Sequence, residues 1–261
     1  MMESTRKEAN MAQDYPVSNA LAGQTAWVLG GGSGLGAASA EALAAQGARV
    51  ILSGRRAEAL QRIAARIAQA GGTAECQPLD VTDRKAIAHV AAAIGPVDIL
   101  VYSSGTNVPR RALADLRGDD WSRIVDVNLS GALHCTQAVL PGMRERGQGT
   151  VLVISSWAGW RMEPVAGVSY SATKHALPAL CETINIEEGR NGIRATCLMP
   201  AEAATDVLDT RPNPPSAEAR AKMLQASDIG NTVAFIAAAP ARMCVNQLVM
   251  SPLHNNFYAR G

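Results

Sequence analysis

Residues 25–36 read TAWVLGGGSGLG, and this stretch decides the fold. Its first part, TAWVL, is mostly apolar and has the length of a buried strand, whereas the alanine-rich sequence at residues 35–47 has helical periodicity. A short strand that passes through glycines directly into a helix is the first half of a β–α–β unit. The stretch therefore predicts an α/β protein built on a parallel sheet.

The same alternation of short apolar runs and longer helical patterns continues along the chain. Further strands are predicted where Val, Ile and Leu cluster or where a strand is due, at residues 49–54, 73–79, 97–102, 150–155, 193–199 and 246–250. Such strands form parallel sheets that helices cover on both faces. The predicted fold class is a single Rossmann-type doubly wound parallel sheet of about seven strands, in a three-layer α/β/α sandwich.

The length of 261 residues suits one such domain, and two full domains would be cramped. We predict a flexible, polar N-terminal tail over residues 1–22 and one domain over residues 23–261. The one long irregular stretch, residues 201–227, contains the sequence RPNPP. Because long loops in compact domains are often lids, we predict a substrate lid there.

Composition narrows the partners that we expect. The chain carries 24 basic and 23 acidic residues with no basic run, so neither nucleic acid nor a membrane surface is an expected partner. Its five cysteines are scattered without a CxxC, and its four histidines lack partners at ligand spacing, so we expect neither disulfides nor a metal. No apolar segment has the length of a membrane span or the position of a signal peptide, which favours a cytoplasmic protein.

The glycines at residues 30–36 form a loop suited to a pyrophosphate. Without a Cβ the backbone turns tightly and approaches phosphate oxygens, and the N-terminus of the following helix favours negative charge. The GxxxGxG spacing is looser than the GxGxxG fingerprint, and a purely structural turn is the alternative. Between a strand and a helix, the loop predicts a dinucleotide site.

The end of the second predicted strand indicates which dinucleotide. Sites for NAD(H) place an acidic side chain there, to accept a hydrogen bond from the ribose 2′-hydroxyl. Gly54 has no carboxylate, and Arg55 and Arg56 follow it. Arginine pairs with a 2′-phosphate through charge-assisted bonds, so NADP(H) is favoured over NAD(H). The alternative is that both arginines are solvated residues at the start of a helix.

Tyr170 and Lys174 lie four residues apart in a helical pattern, so their side chains share one face. A free tyrosine titrates near pH 10, which is too high for a base at neutral pH. An ammonium about 4 Å away is worth roughly 4 kcal/mol at an effective dielectric of about 20. The pair therefore predicts a general acid/base, with an ordinary surface pair as the alternative. Its position between the fifth and sixth predicted strands favours the ligand-binding edge of the sheet.

Together these features resemble the classical short-chain dehydrogenase/reductase family from about residue 21 onward, and the segment from Ser227, with SDIGNTVAFIAAAP and NQLVMSP, is similar to its branch of NADP-dependent 3-hydroxy acid (serine-type) dehydrogenases. Each motif alone is weak, but jointly they are specific. The motifs that carry the resemblance are Gly30-x-x-x-Gly34-x-Gly36, Asp80-Val81, Ser103-Ser104-Gly105, Asn128 in VDVNLSG, Ser155-Ser156, and Tyr170-x-x-x-Lys174.

The resemblance implies an oxidoreductase that moves a hydride between NADP(H) and a secondary alcohol or ketone. It implies that Tyr170 is the acid/base, Lys174 holds the nicotinamide ribose, Ser156 binds the substrate oxygen and Asn128 helps to fix a relay water. Ser155 is the rival of Ser156, because the interval from Ser156 to Tyr170 is 14 residues, about one longer than in many relatives. Implied cofactor contacts are Gly30, Ser33, Gly34, Leu35, Gly36, Arg55, Arg56, Asp80, Val81, Ser103, Gly105, Tyr170, Lys174, Pro200, Ala203 and Thr205.

Several residues depart from the family pattern. Leu29 replaces a threonine, Tyr102-Ser103-Ser104-Gly105 replaces Asn-Asn-Ala-Gly, and Ala201 replaces a glycine beside the expected nicotinamide pocket, where its methyl group is expected to crowd the ring. Pro178 removes the helix bond to the carbonyl of Lys174. We expect the helix to bend there and the freed carbonyl to face solvent or a partner.

The substrate is less well defined by the sequence. The resemblance favours a small 3-hydroxy or 3-oxo acid, whose carboxylate Arg110 or Arg161 would receive. Trp157, Trp160 and Met162 are a candidate apolar wall, with core or interface positions as the alternative. A broad-specificity ketone reductase is a second interpretation, and a cofactor-binding regulator or scaffold with little turnover is a third. The family implies a homo-oligomer, either a dimer or a tetramer.

Overall fold

Seven parallel strands form the central sheet of the computed structural model, which describes residues 19–205, 208 and 214–255. The strands are β1 (Thr25–Leu29), β2 (Arg49–Gly54), β3 (Thr73–Pro78), β4 (Ile99–Tyr102), β5 (Gly149–Ile154), β6 (Ile193–Pro200), β7 (Ala203–Ala204), β8 (Leu224–Gln225) and β9 (Gln247–Met250). The sheet order is β3-β2-β1-β4-β5-β6-β9, and β7 pairs with β8 in a separate two-stranded sheet.

Helices connect these strands and cover the sheet. They are α1 (Gly34–Ala45), α2 (Ala57–Gln69), α3 (Arg84–Ile94), α4 (Gly118–Val125), α5 (Gly131–Arg146), α6 (Val168–Glu188), α7 (Ala217–Ala221) and α8 (Ala226–Ala237). A π-helical turn at Asp126–Ser130 joins α4 to α5, and short 3₁₀ turns occupy Trp157–Gly159, Pro164–Ala166 and Gly189–Asn191.

Alternate residues of each central strand pack into two separate cores. In β1, Trp27 and Leu29 pack with residues of α3, α5 and α6, whereas Ala26 and Val28 pack with residues of α1, α2 and α8. Strands that are buried on both faces are typical of a parallel sheet between two helical layers. The predicted three-layer, doubly wound fold is therefore confirmed, and every predicted strand is present within two residues of its expected ends.

The strand order creates the crevice that the site occupies. β2 and β4 lie on opposite sides of β1, so the connections after β1 and β4 diverge at the carboxyl edge of the sheet. Doubly wound folds bind ligands at such a switch point. Gly30, the first residue after β1, has a φ of +80°, and a Cβ placed on it would lie 2.9 Å from the backbone of Ser103. Position 30 therefore requires glycine, because the connections after β1 and β4 start very close to each other before they diverge.

The predicted lid contains regular structure where it is described. Ala203–Ala204 pairs with Leu224–Gln225, Ser216 caps α7, and α8 already begins at Ala226. Residues 206–207 and 209–213 of this stretch lie outside the described residues, and the lid itself stays a prediction.

Of the predicted N-terminal tail, residues 1–18 are likewise outside the described part of the chain. Leu21, near the end of that predicted segment, is buried, and its N–H donates to the carbonyl of Gln46 at 2.9 Å. Within the described residues, no helix has both the length and the apolar character that a membrane crossing requires.

Candidate functional site

A cavity of about 550 Å³ opens at the carboxyl edge of the sheet. All the catalytic and cofactor-binding residues expected from the sequence, except Gly36 and Asn128, lie on its wall. These are Gly30, Ser33, Gly34, Leu35, Arg55, Arg56, Asp80, Val81, Ser103, Gly105, Ser156, Tyr170, Lys174, Pro200, Ala203 and Thr205. The fold thus brings residues from the carboxyl ends of β1 to β6 and from α6 to one cavity.

The glycine loop has the form that a pyrophosphate needs. α1 starts at Gly34, whose φ is +54°, and the side chain of the preceding Ser33 makes no capping hydrogen bond. The first turn of α1 contains no acidic residue, so no carboxylate of that turn offsets the positive end of the helix. Nη2 of Arg56 lies 3.5 Å from the hydroxyl oxygen of Ser33, which brings a cation to the loop. These residues fit the phosphates of a dinucleotide.

Gly36 supports this loop from behind. A Cβ on Gly36 would lie 2.2 Å from the carbonyl oxygen of Gly30. The third glycine of the motif therefore allows α1 to pack against the turn, whereas Gly30 and Gly34 line the cavity.

The far end of the cavity carries charged groups of both signs. Gly54, Arg55 and Arg56 line it together with Asp80. The carboxylate of Asp80 accepts from the N–H and the hydroxyl of Thr82, both at 2.9 Å. The backbone bond from Thr82 is the main cause that lowers the pKa of Asp80, and the charge of Arg55 lowers it further. This end therefore holds two cations and an ionised carboxylate.

Tyr170 and Lys174 lie on the first two turns of α6, which begins after Gly167 with its φ of +77°. Lys174 is only 4% exposed, and its ammonium donates to the carbonyl of Ile154 at 3.0 Å. Nζ lies 5.5 Å from the centre of the Tyr170 ring. A buried cation beside a phenol at a cavity wall is the arrangement expected of the acid/base pair.

Asn128 sits behind the wall, fully buried in the π-helical turn. Its Oδ1 accepts from the N–H of Thr106 at 2.8 Å, and its Nδ2 donates to the carbonyl of Thr106 at 3.0 Å and to the hydroxyl of Thr173 at 3.2 Å. The amide therefore fastens the segment after β4 to α6. Gly105 lies beside both groups, since a Cβ placed on it would be 3.5 Å from Nζ of Lys174 and 3.8 Å from Oδ1 of Asn128.

The two candidate serines differ in their hydrogen bonds. The hydroxyl of Ser155 is buried and donates to the carbonyl of Lys174 at 2.8 Å. The Ser156 oxygen accepts from the N–H of Ala158 at 3.2 Å. Its proton is not given to that bond, so Ser156 has a donor for a substrate oxygen whereas Ser155 has already used its own.

The predicted substrate wall is only partly correct. Trp157 lines the cavity, but Trp160 and Met162 are not among its described lining residues and are 39% and 68% exposed. The guanidinium of Arg161 stacks on Trp160 at 4.3 Å, and Arg110 is also absent from the described wall. Neither arginine expected to receive a carboxylate therefore stands on the cavity.

Other residues of the wall were not anticipated from the sequence. Besides Arg55 and Arg56, the arginines on the described wall are Arg111 and Arg123. Sequence reasoning missed these two, together with Thr106, Asn107, Glu163, Val165, Ala166, Glu202 and Leu208. Most of them lie in irregular segments that carry no periodic signal.

The structure shows the contacts of the residues that depart from the family pattern. The carbonyl of Leu29 accepts from the N–H of Ser103 at 2.9 Å, so the main chain joins the end of β1 to the segment after β4 whatever side chain stands at position 29. The hydroxyl of Tyr102 donates to the carbonyl of Val127, in the turn that carries Asn128. Ala201 lines the cavity, and its N–H donates to Met250 of β9 at 2.8 Å.

Comparison with known proteins agrees with this geometry. The family model described as short chain dehydrogenase matches residues 24–215. The chain is 35% identical to glycine betaine reductase of Emericella nidulans over 241 residues, which are 89% of this chain but only 19% of that longer protein. It is 30% identical to an uncharacterized oxidoreductase of Staphylococcus aureus strain USA300, covering 89% of this chain and 99% of the relative.

A solved structure of the closed form of serine dehydrogenase, complexed with NADP⁺, superposes with a TM-score of 0.79 at 28% identity, covering 88% of this chain and 95% of the other. The match to the family model spans most of the chain, including the glycine loop and the Tyr170–Lys174 pair. This chain is therefore an oxidoreductase that belongs to the short-chain dehydrogenase family.

Proposed function

We propose that the protein transfers a hydride between NADP(H) and a secondary alcohol or ketone. The observation that carries this proposal is the single continuous cavity that joins the glycine loop and Arg55 at one end to Ser156, Tyr170 and Lys174 at the other. A dinucleotide laid along this cavity presents its phosphates to the N-terminus of α1 and its nicotinamide to Tyr170. When bound, the nicotinamide supplies or accepts the hydride.

The residues of the chain would handle the proton. In the reducing direction, Tyr170 gives its phenolic proton to the substrate oxygen, while the hydroxyl of Ser156 donates a hydrogen bond to that same oxygen. The ammonium of Lys174 stabilises the negative charge that remains on the phenol. In the oxidising direction the phenolate takes the proton back. Asn128 holds Thr106 and Thr173 around this pair, and its role in a proton relay stays a prediction.

NADP(H) is the proposed dinucleotide. Arg55 and Arg56 supply two cations where Gly54 leaves no carboxylate to receive a ribose hydroxyl. The similar serine dehydrogenase was solved with NADP⁺, which supports the same choice here. NAD(H) is the less favoured alternative.

A small 3-hydroxy acid or its 3-oxo counterpart is the proposed substrate. Support comes from the likeness to serine dehydrogenase and from Arg111 on the cavity wall. The guanidinium of Arg111 is oriented by bonds from Nε to the carbonyl of Val108 at 2.7 Å and from Nη1 to that of Val165 at 3.0 Å. Held in this way on the cavity wall, Arg111 is the cation that we assign to a substrate carboxylate.

A second candidate substrate is a carbonyl compound that carries a positive charge. The same wall also includes Glu163, Glu202 and Trp157. Carboxylates and aromatic faces both attract ammonium groups. The similarity to glycine betaine reductase favours this alternative.

A broad-specificity ketone reductase is a third candidate. The apolar side chains of Trp157, Val165 and Leu208 on the same wall favour it.

The test is NADPH consumption with three matched sets of compounds of similar size: 3-oxo acids, neutral ketones and carbonyl compounds bearing a quaternary ammonium group. We expect the 3-oxo acids to be reduced with the highest kcat/KM. A preference for either other set would overturn the 3-oxo acid assignment alone. NADPH binding without turnover of any compound would favour a scaffold over an enzyme. The cytoplasmic location and the dimeric or tetrameric state stay predictions from the sequence.

A further inference from the structure

The carbonyl of Lys174 has a hydrogen-bond partner from outside its own helix. Pro178 lies four residues further along α6 and has no N–H to donate, so this carbonyl loses its normal helical bond. The hydroxyl of Ser155 takes that place at 2.8 Å, and both residues are only 4% exposed. The freed carbonyl therefore bonds to a buried side chain of the same chain and does not face solvent. The helix continues past Pro178 to Glu188, and the expected bend stays a prediction.

The residue before Ser155 binds the other end of the same lysine. The carbonyl of Ile154, the last residue of β5, accepts from Nζ of Lys174 at 3.0 Å. Two consecutive residues therefore hold Lys174 by its main chain and by its ammonium. The N–H of Ser155 donates to Leu198 of β6 at 2.8 Å, which anchors this pair of residues in the sheet.

Gly159 packs directly over the Ser155–Lys174 bond. A Cβ on Gly159 would lie 2.4 Å from the Lys174 carbonyl oxygen and 2.4 Å from the Ser155 hydroxyl oxygen. Any larger residue would have to displace one of the bonded groups. The turn Trp157–Gly159 thus covers the bond and contributes Trp157 to the cavity wall. A hydrogen bond that is shielded from water is stronger than an exposed one.

We propose that Ser155 is a positioning residue that sets the placement of the Lys174 ammonium relative to Tyr170, and that Pro178 makes this possible by leaving the lysine carbonyl free. This assignment rests on the proposed function. The stabilisation of a phenolate by an ammonium varies inversely with their separation, so small shifts of Lys174 alter the acid/base. A helix bond would tie Lys174 only to α6, whereas the bond from Ser155 ties it to the strand that also leads to Ser156.

The experiment is a double-mutant cycle of Ser155→Ala and Pro178→Ala, with Ser155→Thr as the variant that keeps the hydroxyl. We expect Ser155→Ala to lower kcat by about five- to tenfold, the size of one buried hydrogen bond. We also expect the pH at which alcohol oxidation reaches half of its maximal rate to increase by about half a pH unit. KM for the alcohol should change little, and Ser155→Thr should retain most of the wild-type kcat.

In the Pro178→Ala background the result should differ. This substitution restores a backbone N–H that competes with Ser155 for the Lys174 carbonyl, so Pro178→Ala should itself lower kcat, and the further change Ser155→Ala should then lower kcat by less than about twofold. Equal losses in both backgrounds would overturn the proposal. So would a loss in kcat without any movement of the pH profile.

Thr136→Ala serves as the matched control, because Thr136 is a buried hydroxyl of α5 that donates to the carbonyl of Ala132 at 2.8 Å. It should alter the unfolding midpoint in urea without moving the pH profile.

If the wild-type protein binds NADPH but reduces none of the tested compounds, the proposed function fails. The double-mutant cycle is then carried out by measuring the dissociation constant for NADPH in each variant. Coupling between the two sites is expected there too, and additive effects would overturn the assignment of Ser155.

Discussion

The ammonium of Lys174 lies 5.5 Å from the centre of the Tyr170 ring and bonds to the main chain of β5. Because no carboxylate of the described residues forms an ion pair with this ammonium, its charge remains effective toward the phenol.

Lys174→Met keeps the length of the side chain but removes the charge. We expect kcat to fall by about 100-fold or more, in the range of a lost acid/base function. NADPH titration and steady-state rates would check this, and unchanged turnover would contradict the role of the lysine.

Arg55 and Arg56 should decide the choice of dinucleotide. Arg55→Ala and Arg56→Ala each remove a cation from the end of the cavity. We expect the dissociation constant for NADPH to rise by about tenfold or more, with little change for NADH, since a hydrogen bond to a charged group contributes about 1.5–3 kcal/mol. Arg62→Ala, an exposed residue of α2 outside the described cavity wall, is the control. Equal weakening of both dinucleotides would refute a 2′-phosphate site.

Gly36 should tolerate no side chain. A Cβ at this position would lie 2.2 Å from the Gly30 carbonyl oxygen, so Gly36→Ala has to move either α1 or the phosphate loop. We expect NADPH affinity to fall by at least about tenfold because the loop N–H groups are displaced. Gly118→Ala is the matched control, since a Cβ there meets nothing within 4 Å. Isothermal titration of both variants decides the point, and normal affinity of Gly36→Ala would show that the loop adapts.

Tyr102 should contribute to stability through the turn that carries Asn128. Its hydroxyl donates to Val127, and burial raises its pKa well above the usual value. Tyr102→Phe removes the donor and keeps the ring, so we expect a loss of about 1 kcal/mol in the free energy of unfolding. A lower kcat should accompany it, because Asn128 is in the same turn. Urea unfolding that matches wild type would argue against this role.

The pair Arg144–Glu188 should make stability depend on acid pH. The bond from Arg144 is the main cause that lowers the pKa of Glu188 from 4.5 to about 2, and a bond from Asn191 adds to it. A carboxyl with a lowered folded-state pKa stabilises the fold above its unfolded value, and this stability is lost as the pH falls from about 4.5 to about 2. Urea unfolding midpoints measured from neutral to acid pH across this window should show the decline, and Arg144→Met should flatten most of it.

The sequence predicted the sheet well because parallel strands are buried on both faces and therefore read as continuous apolar runs. β1, β2 and β5 stand where expected, and even β3, whose residues are half-exposed at the sheet edge, follows from the βα rhythm. The end of the cavity that carries the glycine loop was predictable for a similar reason. Gly30 and Arg55 come directly after β1 and β2, Gly34 begins the helix that follows β1, and the fold class fixes where strand ends lie.

The part of the cavity wall that carries Arg111 and Glu163 was predicted poorly because loops form it. Arg111 and Glu163 occupy irregular segments whose course depends on contacts distant in sequence, such as the bond from Asn107 to the carbonyl of Ala166 at 2.9 Å. Arg161 was misassigned because it stacks on its neighbour Trp160, away from the described cavity wall. The hydrogen-bond partner of the Lys174 carbonyl could not be predicted either. A proline in the helix shows that a helical bond is missing but not which group replaces it.

Turnover by Tyr170→Phe tests the central claim most directly. The phenyl ring preserves the packing of α6 and the cavity wall but has no proton to exchange. NADPH should bind with an affinity within about twofold of wild type, while ketone reduction should fall by about 100-fold or more. If Tyr170→Phe reduces the same ketones at a rate close to that of the wild-type protein, Tyr170 does not supply the proton and the account is contradicted.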